Sequence, residues 1–250
     1  MRAPNLAPSP RTRHARRLFA GLPSNYDRMG AVLSFGQDPR WRRFMVSRVR
    51  VGSGAQILDV ATGTGMVARE MVVRTGASVI GLDQSAEMLR RGVAETKATG
   101  LGESVRFVLG RAEALPLPSG RFDAVTFTYL LRYVDDLAAT LAELVRVLKP
   151  GGMLANLEFH VPSRPLWRPL WWLYTRIGLP AAGRISSRDW YEAGRFLGPS
   201  ISGFYRQHPL DEQLAMWRAA GITDVRARVM SLGGGVVIWG MKSGAVGRGA

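Results

Sequence analysis

Short apolar runs alternate with amphipathic stretches from residue 56 to residue 159. Each run is too short to be a buried helix and stops at turn-forming or polar residues, which is typical of buried strands. The runs lie at residues 56–61, 78–82, 105–109, 122–128 and 153–159. Between them, the spacing of apolar residues predicts three helices. The first ends near residue 74, and the others cover residues 85–98 and 136–148. Because parallel neighbours need crossover helices, this order predicts an α/β protein with a doubly wound, mostly parallel sheet.

The pattern changes after the fifth predicted strand. Residues 160–207 contain four of the seven tryptophans, together with many proline, glycine and arginine residues. A helix is predicted at 210–220, followed by strands at 223–230 and 235–242 that a glycine-rich turn connects. So short a connection favours a β-hairpin, with one antiparallel member at the sheet edge. The sequence therefore predicts a seven-stranded sheet and an aromatic insertion at residues 160–207.

The two ends of the chain suggest its domain organisation. Residues 1–17 are rich in proline and arginine and contain no acidic residue, so we expect a disordered basic tail. Residues 18–250 are expected to form a single domain, with residues 18–50 as an N-terminal lid. The tail lacks the apolar core of a secretory signal, and no apolar run approaches the ~20 residues of a transmembrane helix. We expect a cytoplasmic protein.

Charge is concentrated at both ends of the chain. The net charge of +15 divides into +9 over residues 1–50, zero over 51–150 and +6 over 151–250. Basic flanks attract phosphate, whether of nucleic acid or of anionic lipid, and a solvated arginine-rich surface is the alternative. The chain has no cysteine, and its three histidines lack zinc-site spacing. We therefore expect no disulfide, thiol nucleophile or metal site.

A glycine-rich turn follows the first predicted strand. Gly63 and Gly65 allow the backbone to turn sharply and approach a ligand, and Asp83 ends the second strand, where a carboxylate can accept both hydroxyls of a ribose. Alone, the pattern Gly63-Thr-Gly65-Met-Val-Ala68 also suits a nicotinamide dinucleotide. Asp59 changes the balance, because a carboxylate in the first strand would repel a pyrophosphate but suits the cationic amino-acid end of S-adenosylmethionine.

Several motifs in sequence order resemble the class I S-adenosylmethionine-dependent methyltransferases. They are ILDVATGTG, GLDQS, GRAEALPLPSGRFDAV and RVLKPGG. More narrowly, the chain resembles the ubiquinone/menaquinone biosynthesis C-methyltransferase family. Its signature YDxMNxxLSxxxHxxW is matched by Tyr26, Asp27, Met29, Leu33, Ser34 and Trp41, and its second signature by residues 146–158. The likeness covers about residues 18–242 and implies a Rossmann-like methyltransferase fold.

This resemblance implies a set of residues that bind the cofactor. The turn residues would contact it, Asp83 would hold the ribose, Arg111 and Ala112 would flank the adenine, and Thr128 would lie beside the methionine end. The full set of expected cofactor-binding residues is Asp59, Gly63, Thr64, Gly65, Asp83, Gln84, Arg111, Ala112 and Thr128.

The chain departs from the family pattern at several positions. Gly30 and Asp38 replace asparagine and histidine of the first signature, and His160 replaces serine of the second. The family's GLRN reads Leu130-Leu131-Arg132-Tyr133, and Arg111 stands where an aspartate often meets the adenine. Because three of these changes face the expected substrate, the identity of the methyl acceptor stays open.

The chemistry implied by the family is methylation of a ring carbon beside a phenolic hydroxyl, which must first lose its proton. A phenol has a pKa of about 10, so ionising it at neutral pH costs on the order of 4 kcal/mol. Arg132 is the first candidate to stabilise the oxyanion, with a surface ion pair to Asp135 or Asp136 as the alternative. His160 is a candidate base, and Tyr129 is expected to hydrogen-bond or stack.

The stretch from Tyr26 to Trp41 is expected to cover the open end of the sheet as part of the lid. The alternative is a helix pair packed on the sheet. The expected substrate and lid residues are Tyr26, Asp27, Phe35, Tyr133 and Trp171. The family resemblance implies a lipophilic small molecule as the partner, namely a hydroquinone such as a demethylmenaquinol-type acceptor that is methylated at carbon. The alternative is another lipophilic phenolic or polyketide-like acceptor, methylated at carbon or oxygen.

The stretch RPLWRPLWWLYTRIG, residues 164–178, mixes tryptophan with arginine and suits the interface of an anionic membrane. A nucleic-acid methyltransferase is disfavoured because no Asn/Asp-Pro-Pro-aromatic motif follows the fourth strand. A non-catalytic protein that has kept the fold is the third alternative. The sequence leaves the oligomeric state open between monomer and homodimer.

Overall fold

Helices surround one central sheet in the computed structural model, which describes residues 26–244. The strands are β1 (Gln56–Val60), β2 (Ser78–Asp83), β3 (Val105–Leu109), β4 (Phe122–Thr128), β5 (Leu148–Phe159), β6 (Ile222–Met230) and β7 (Gly235–Lys242). The helices are α1 (Tyr26–Leu33), α2 (Gln37–Arg48), α3 (Met66–Thr75), α4 (Ala86–Ala98), α5 (Leu137–Val147), α6 (Arg168–Leu173), α7 (Leu179–Ser186), α8 (Arg188–Gln207) and α9 (Leu210–Ala219). The predicted tail, residues 1–17, lies outside the described residues.

The sheet has the strand order β3-β2-β1-β4-β5-β7-β6. Strands β1 to β5 are parallel, and β7 pairs antiparallel with both β5 and β6. The doubly wound α/β fold predicted from the sequence is confirmed. The antiparallel strand, however, lies inside the sheet instead of at its edge, because β7 is apolar and buried whereas β6 carries charged residues and suits the edge.

Apolar side chains cover the sheet on both faces. On one face α2 and α3 contribute Trp41, Met45, Val67 and Met71 to the core. On the other face α5 and α9 contribute residues such as Leu141 and Trp217. Both layers therefore hold the carboxyl ends of the parallel strands in a fixed arrangement.

Side-chain caps determine where several helices begin. The side-chain oxygens of Ser85, Asp136 and Ser187 each accept a hydrogen bond from the backbone N–H three residues further on, at the starts of α4, α5 and α8. The insertion is mostly helical and comprises α6, α7 and α8. None of the described helices has the length and apolar content needed to cross a bilayer.

Candidate active site

A cavity of about 150 Å³ opens where the strand order reverses, at the carboxyl ends of β1, β2 and β4. Ligands of doubly wound sheets bind at this position because the crossovers diverge there and leave a crevice. Of the expected cofactor residues, the structure places six along this cavity. They are Gly63, Thr64, Asp83, Gln84, Ala112 and Thr128.

The glycine turn shapes the floor of this cofactor cavity. Gly63 has a φ of 57°, and a Cβ built there would meet no protein atom within 4 Å, so the turn leaves open space beside the backbone. Gly65 has a φ of 80°, and its Cβ would lie 2.8 Å from the Phe107 ring. Gly65 does not line the cavity. Its role in the structure is to let the start of α3 approach β3 closely.

Asp83 holds the turn and also faces the cavity. Its two carboxylate oxygens accept hydrogen bonds from the backbone N–H groups of Gly63, at 2.9 Å, and Ser85, at 2.8 Å. Each carboxylate oxygen has a second lone-pair site, so these bonds leave acceptor capacity for a diol. The geometry agrees with the ribose position expected from the sequence.

Asp59 does not line the cavity, although the sequence suggested direct contact with the cofactor. Its carboxylate is buried beneath the turn, where it accepts hydrogen bonds from Thr62 at 2.6 Å and Thr126 at 2.7 Å. Burial raises the pKa of Asp59 to about 6, and these hydrogen bonds only partly oppose that effect. The residue therefore braces the turn and places a titratable group under it.

Replacing Asp59 with asparagine is expected to change the pH dependence of stability. Because its pKa is raised to about 6 in the folded protein, the folded state binds the proton more tightly than the unfolded state. This group therefore makes the wild type less stable as the pH rises from about 4 to 6. Above that window the variant should gain up to about 3 kcal/mol relative to wild type, and below it the difference should vanish. Denaturant unfolding of both proteins over a pH series measures this, and a difference independent of pH would contradict it.

Arg111, which was expected to flank the adenine, has its side chain outside the cavity. This side chain does not line the cavity but pairs with Glu113 at 3.0 Å. Ala112 and Glu113 line it instead. The loop that carries them is held by α5, because Glu143 accepts the N–H of Leu115 at 2.8 Å.

The charges along the cavity decide which cofactor fits. Among its described lining residues, Arg42 is the only cationic side chain, whereas Asp83 and Glu113 are acidic. A dinucleotide would place two negative phosphate groups against these carboxylates. S-Adenosylmethionine has no phosphate, carries a sulfonium and offers one carboxylate to Arg42, so the residues present fit it better.

A second cavity, of about 470 Å³, lies between α1, α2 and the helices of the insertion. Its walls are largely apolar or aromatic. They include Leu33, Trp41, Phe159, Leu170, Trp171, Leu179, Trp190, Leu197 and Ile201. A cavity of this size and composition suits a lipophilic molecule. The N-terminal helices and the insertion thus build this acceptor cavity together.

Three residues line both cavities, namely Arg42, Met66 and Tyr129. They mark the junction at which a cofactor and an acceptor could meet. The Tyr129 ring stacks on Phe159, with centroids 4.3 Å apart, and the Arg42 guanidinium lies 5.3 Å from the Tyr129 ring centroid. The Tyr129 hydroxyl donates a hydrogen bond to Asp38.

Arg132 lines the acceptor cavity and forms a buried ion pair instead of the surface ion pair that the sequence offered as an alternative. Its partner is Glu158, at 2.9 Å, and both side chains are 1% exposed. Burial lowers the pKa of Arg132, but the Glu158 carboxylate more than offsets this, so its net pKa is raised and it stays charged. Its Nη1 also donates to the Tyr133 hydroxyl at 3.2 Å. The alternative, a surface pair with Asp135 or Asp136, is absent among the described residues.

His160 lies outside both cavities. Its Nδ1 is 3.1 Å from the carbonyl oxygen of Gly233, and its ring contacts Tyr205 edge-on. Burial lowers the pKa of this imidazole. Since the ring is buried away from the junction, we do not retain it as the base.

The expected substrate and lid residues fall in different places. Trp171 lines the acceptor cavity, while Tyr133 lines the cofactor cavity. Phe35 is 78% exposed and lies at the rim of the acceptor cavity. Trp41 is buried and donates through Nε1 to Ser231 at 2.8 Å. The side chains of Tyr26 and Asp27 lie outside the described part of the structure.

Sequence reasoning missed the contributions of α2 and α3 to the junction. Asp38 appeared only as a departure from the family signature, and Arg42 and Met66 were not singled out. One available signal was the position of Arg42 directly after Trp41, inside a segment expected to cover the site. Its contact with β4, 3.3 Å to Thr128, depends on tertiary folding.

This sheet order, with its glycine turn and a carboxylate at the end of β2, is typical of the fold of class I S-adenosylmethionine-dependent methyltransferases. A methyltransferase of Aquifex aeolicus has a similar fold, with a TM-score of 0.56, 20% identity, and coverage of 80% of this chain and 88% of that one. So does phosphoethanolamine N-methyltransferase 2 of Haemonchus contortus in complex with S-adenosyl-L-methionine, with a TM-score of 0.60 and 14% identity. That match covers 82% of this chain and about half, 52%, of the other.

The chain belongs to the ubiE/COQ5 methyltransferase family, which matches residues 9–242. It is 37% identical to the ubiquinone/menaquinone biosynthesis C-methyltransferase UbiE of Desulfotalea psychrophila, over 90% of this chain and 89% of that protein. It is also 37% identical to the demethylmenaquinone methyltransferase of Geobacillus kaustophilus, over 87% of this chain and 92% of that protein. The protein is therefore an S-adenosylmethionine-dependent methyltransferase, as predicted, and its acceptor is a small lipophilic molecule.

Proposed function

We propose that this protein methylates a ring carbon of a lipophilic hydroquinone, such as a demethylmenaquinol. The observation that carries the proposal is the contact between the two cavities, because a largely apolar space of about 470 Å³ meets the cofactor cavity at Tyr129. The names of the relatives support a prenylated quinone as the acceptor. The aromatic walls suit a fused ring system and its apolar side chain.

The residues along the cofactor cavity suggest how S-adenosylmethionine is held. Asp83 would accept the ribose hydroxyls, and Ala112 would pack against the adenine. Arg42, beside Thr128, would bind the carboxylate of the methionine end. Bound in this way, the cofactor supplies an electrophilic methyl group to the junction.

The acceptor cavity suggests how the ring is oriented. Its polar groups include Asp38, Arg42, Tyr129 and Arg132, whereas the insertion contributes apolar residues such as Leu170 and Trp171. A hydroquinone would therefore bind with its hydroxyls toward the polar group and its side chain toward the insertion. Arg132 would hydrogen-bond the developing oxyanion, while Glu158 balances its charge.

Mass spectrometry of a defined reaction tests this function. The protein is incubated with methyl-labelled S-adenosylmethionine and a short-chain demethylmenaquinol kept reduced. We expect one labelled methyl group on a ring carbon, and no product from the oxidised quinone, which has no hydroxyl to ionise. A labelled methyl ether would reassign the protein to oxygen methylation, and absence of any product would refute the hydroquinone acceptor.

We also propose that the insertion contacts an anionic membrane surface from which the acceptor enters. The tryptophan–arginine surface comprises exposed apolar side chains and nearby exposed arginines. These are Leu166, Leu170, Trp172, Leu173, Ile177, Arg164, Arg168, Arg176 and Arg184. Residues 160–188 contain no acidic residue, so the surface complements anionic lipid. Leu170 and Phe35 are exposed and also line the acceptor cavity, so its rim reaches this surface.

Removing apolar groups from the tryptophan–arginine surface should weaken membrane binding. The double variant Leu166→Ser/Trp172→Ser should bind vesicles containing anionic phospholipid about tenfold less tightly. Serine has little apolar surface, so the variant buries less apolar area in the membrane interface than the wild type does. Vesicle flotation measures this. The matched control is Val73→Ser, since Val73 is 73% exposed on α3, away from this surface. Equal binding by wild type and the double variant would contradict the proposal, as would indifference to lipid charge.

A further inference from the structure

Asp38 connects the two polar residues of the junction. Its Oδ2 accepts a hydrogen bond from Nε of Arg42 at 2.8 Å, and its Oδ1 accepts one from the Tyr129 hydroxyl. Asp38 itself lines the acceptor cavity, and its side chain is 9% exposed. A nearly buried carboxylate is therefore held beside the position where a phenolic hydroxyl would lie.

The backbone holds Tyr129 in an uncommon conformation. Its φ is 56°, a left-handed value that costs an aromatic residue on the order of 1–2 kcal/mol. Stacking on Phe159 and the hydrogen bond to Asp38 maintain it there. Because the hydroxyl donates to Asp38, the lone pairs of its oxygen are available to accept a hydrogen bond from a ligand.

Tyr129 is not itself suited to be the base. Burial raises the pKa of its hydroxyl well above the usual range, and the neighbouring Asp38 carboxylate raises it further. A proton arriving at its oxygen must therefore leave through its own O–H bond, which points to Asp38.

We propose that Tyr129 and Asp38 form a proton relay that ionises the hydroxyl of the acceptor. The inference rests on the proposed function, because it requires a phenolic acceptor at the junction. The acceptor O–H bond breaks and its proton passes to the Tyr129 oxygen, while the Tyr129 proton passes to Oδ1 of Asp38. The acceptor becomes a phenolate, Asp38 becomes neutral and Tyr129 is unchanged. Arg42 holds the carboxylate in position and is not a proton carrier.

The departure at Asp38 is thus placed in the active site. The family signature has a histidine where this protein has Asp38. In this protein the hydroxyl of Tyr129, directly after β4, is hydrogen-bonded to Asp38. A carboxylate accepts protons without first losing one, so an aspartate here can serve as the final acceptor. The charge it loses on protonation appears on the phenolate, so the net charge of the junction is conserved.

Acceptors of different acidity test the relay. The first acceptor is a short-chain demethylmenaquinol, and the second is the same hydroquinone with halogens on its other ring, so that its hydroxyl is ionised at the assay pH. On the first, Asp38→Asn and Tyr129→Phe should each lower kcat about 100-fold with KM changed less than about threefold. On the second, both variants should lie within about threefold of wild type, because no proton need be removed. Asp38→Glu should recover part of the lost rate.

Two further comparisons decide between a relay and a structural role. If the residues act as one unit, the double variant Asp38→Asn/Tyr129→Phe should be no slower than either single variant. Cofactor affinity should match that of Asp123→Asn, a variant of a carboxylate outside both cavities. Equal loss of kcat on both acceptors would overturn the relay. Absence of wild-type turnover on both would instead refute the proposed function, and the relay with it.

Discussion

Replacing Arg132 with methionine should abolish methyl transfer and destabilise the protein. The change leaves the Glu158 carboxylate buried without its partner, which should lower the free energy of unfolding by about 3–5 kcal/mol. If Arg132 also stabilises the oxyanion of the acceptor, kcat should fall by at least about 100-fold. Denaturant unfolding and steady-state assays on a hydroquinone measure the two effects separately.

A double variant separates the structural role of Arg132 from its chemical role. Arg132→Met/Glu158→Leu replaces the buried ion pair with apolar side chains of similar volume, a change that is often neutral or stabilising. We expect it to recover most of the lost stability while remaining inactive. Recovery of turnover in the double variant would show that Arg132 serves only the fold and takes no part in the reaction.

Replacing Asp83 with alanine should prevent cofactor binding at ordinary concentrations. The carboxylate holds the glycine turn through Gly63 and is placed to accept the ribose hydroxyls. Hydrogen bonds to a charged group contribute about 1.5–3 kcal/mol each, so losing two should weaken S-adenosylmethionine binding by at least about 100-fold. Isothermal titration calorimetry measures this directly.

The matched control for Asp83 is Asp123→Asn. Asp123 pairs with Lys149 near the opposite, amino-terminal side of the sheet and lines neither cavity. Its variant should bind the cofactor with wild-type affinity. A loss smaller than about threefold in Asp83→Ala would mean that other groups hold the ribose, and a loss shared with Asp123→Asn would indicate a general effect of removing negative charge.

Local features were predictable because they depend on neighbouring residues. The apolar runs of β1 to β5 and the turn around Gly63 can be identified from short stretches, since strand burial and left-handed turns impose direct requirements on residue type. The position of Asp83 beside the cofactor cavity follows from the same reasoning, because parallel strands bring their carboxyl ends to one edge of the sheet. β1 to β4 lie close to their predicted positions, whereas β5 begins at Leu148, five residues before the predicted start. The contact of Asp83 with a ribose stays a prediction.

The less successful predictions concern side chains whose direction depends on packing. Asp59 and Arg111 occur at the expected places in the chain, but Asp59 points under the turn and Arg111 toward Glu113. His160 lies at the end of β5 and packs against Tyr205 away from the junction. The position of a residue in the chain does not determine whether its side chain points into the cavity or into the layer of side chains behind the cavity.

By itself, the sequence determined the α/β class, the cofactor type and the family, because strand periodicity, turn chemistry and signature motifs are all properties of contiguous residues. Only the tertiary structure brought Asp38 of α2 to Tyr129, which directly follows β4 and lies 91 positions further along the chain, and Arg132 to Glu158. The two residues of each pair lie far apart in the chain and in different parts of the fold. Their contacts depend on the combined packing of several elements, so no single stretch of sequence specifies them.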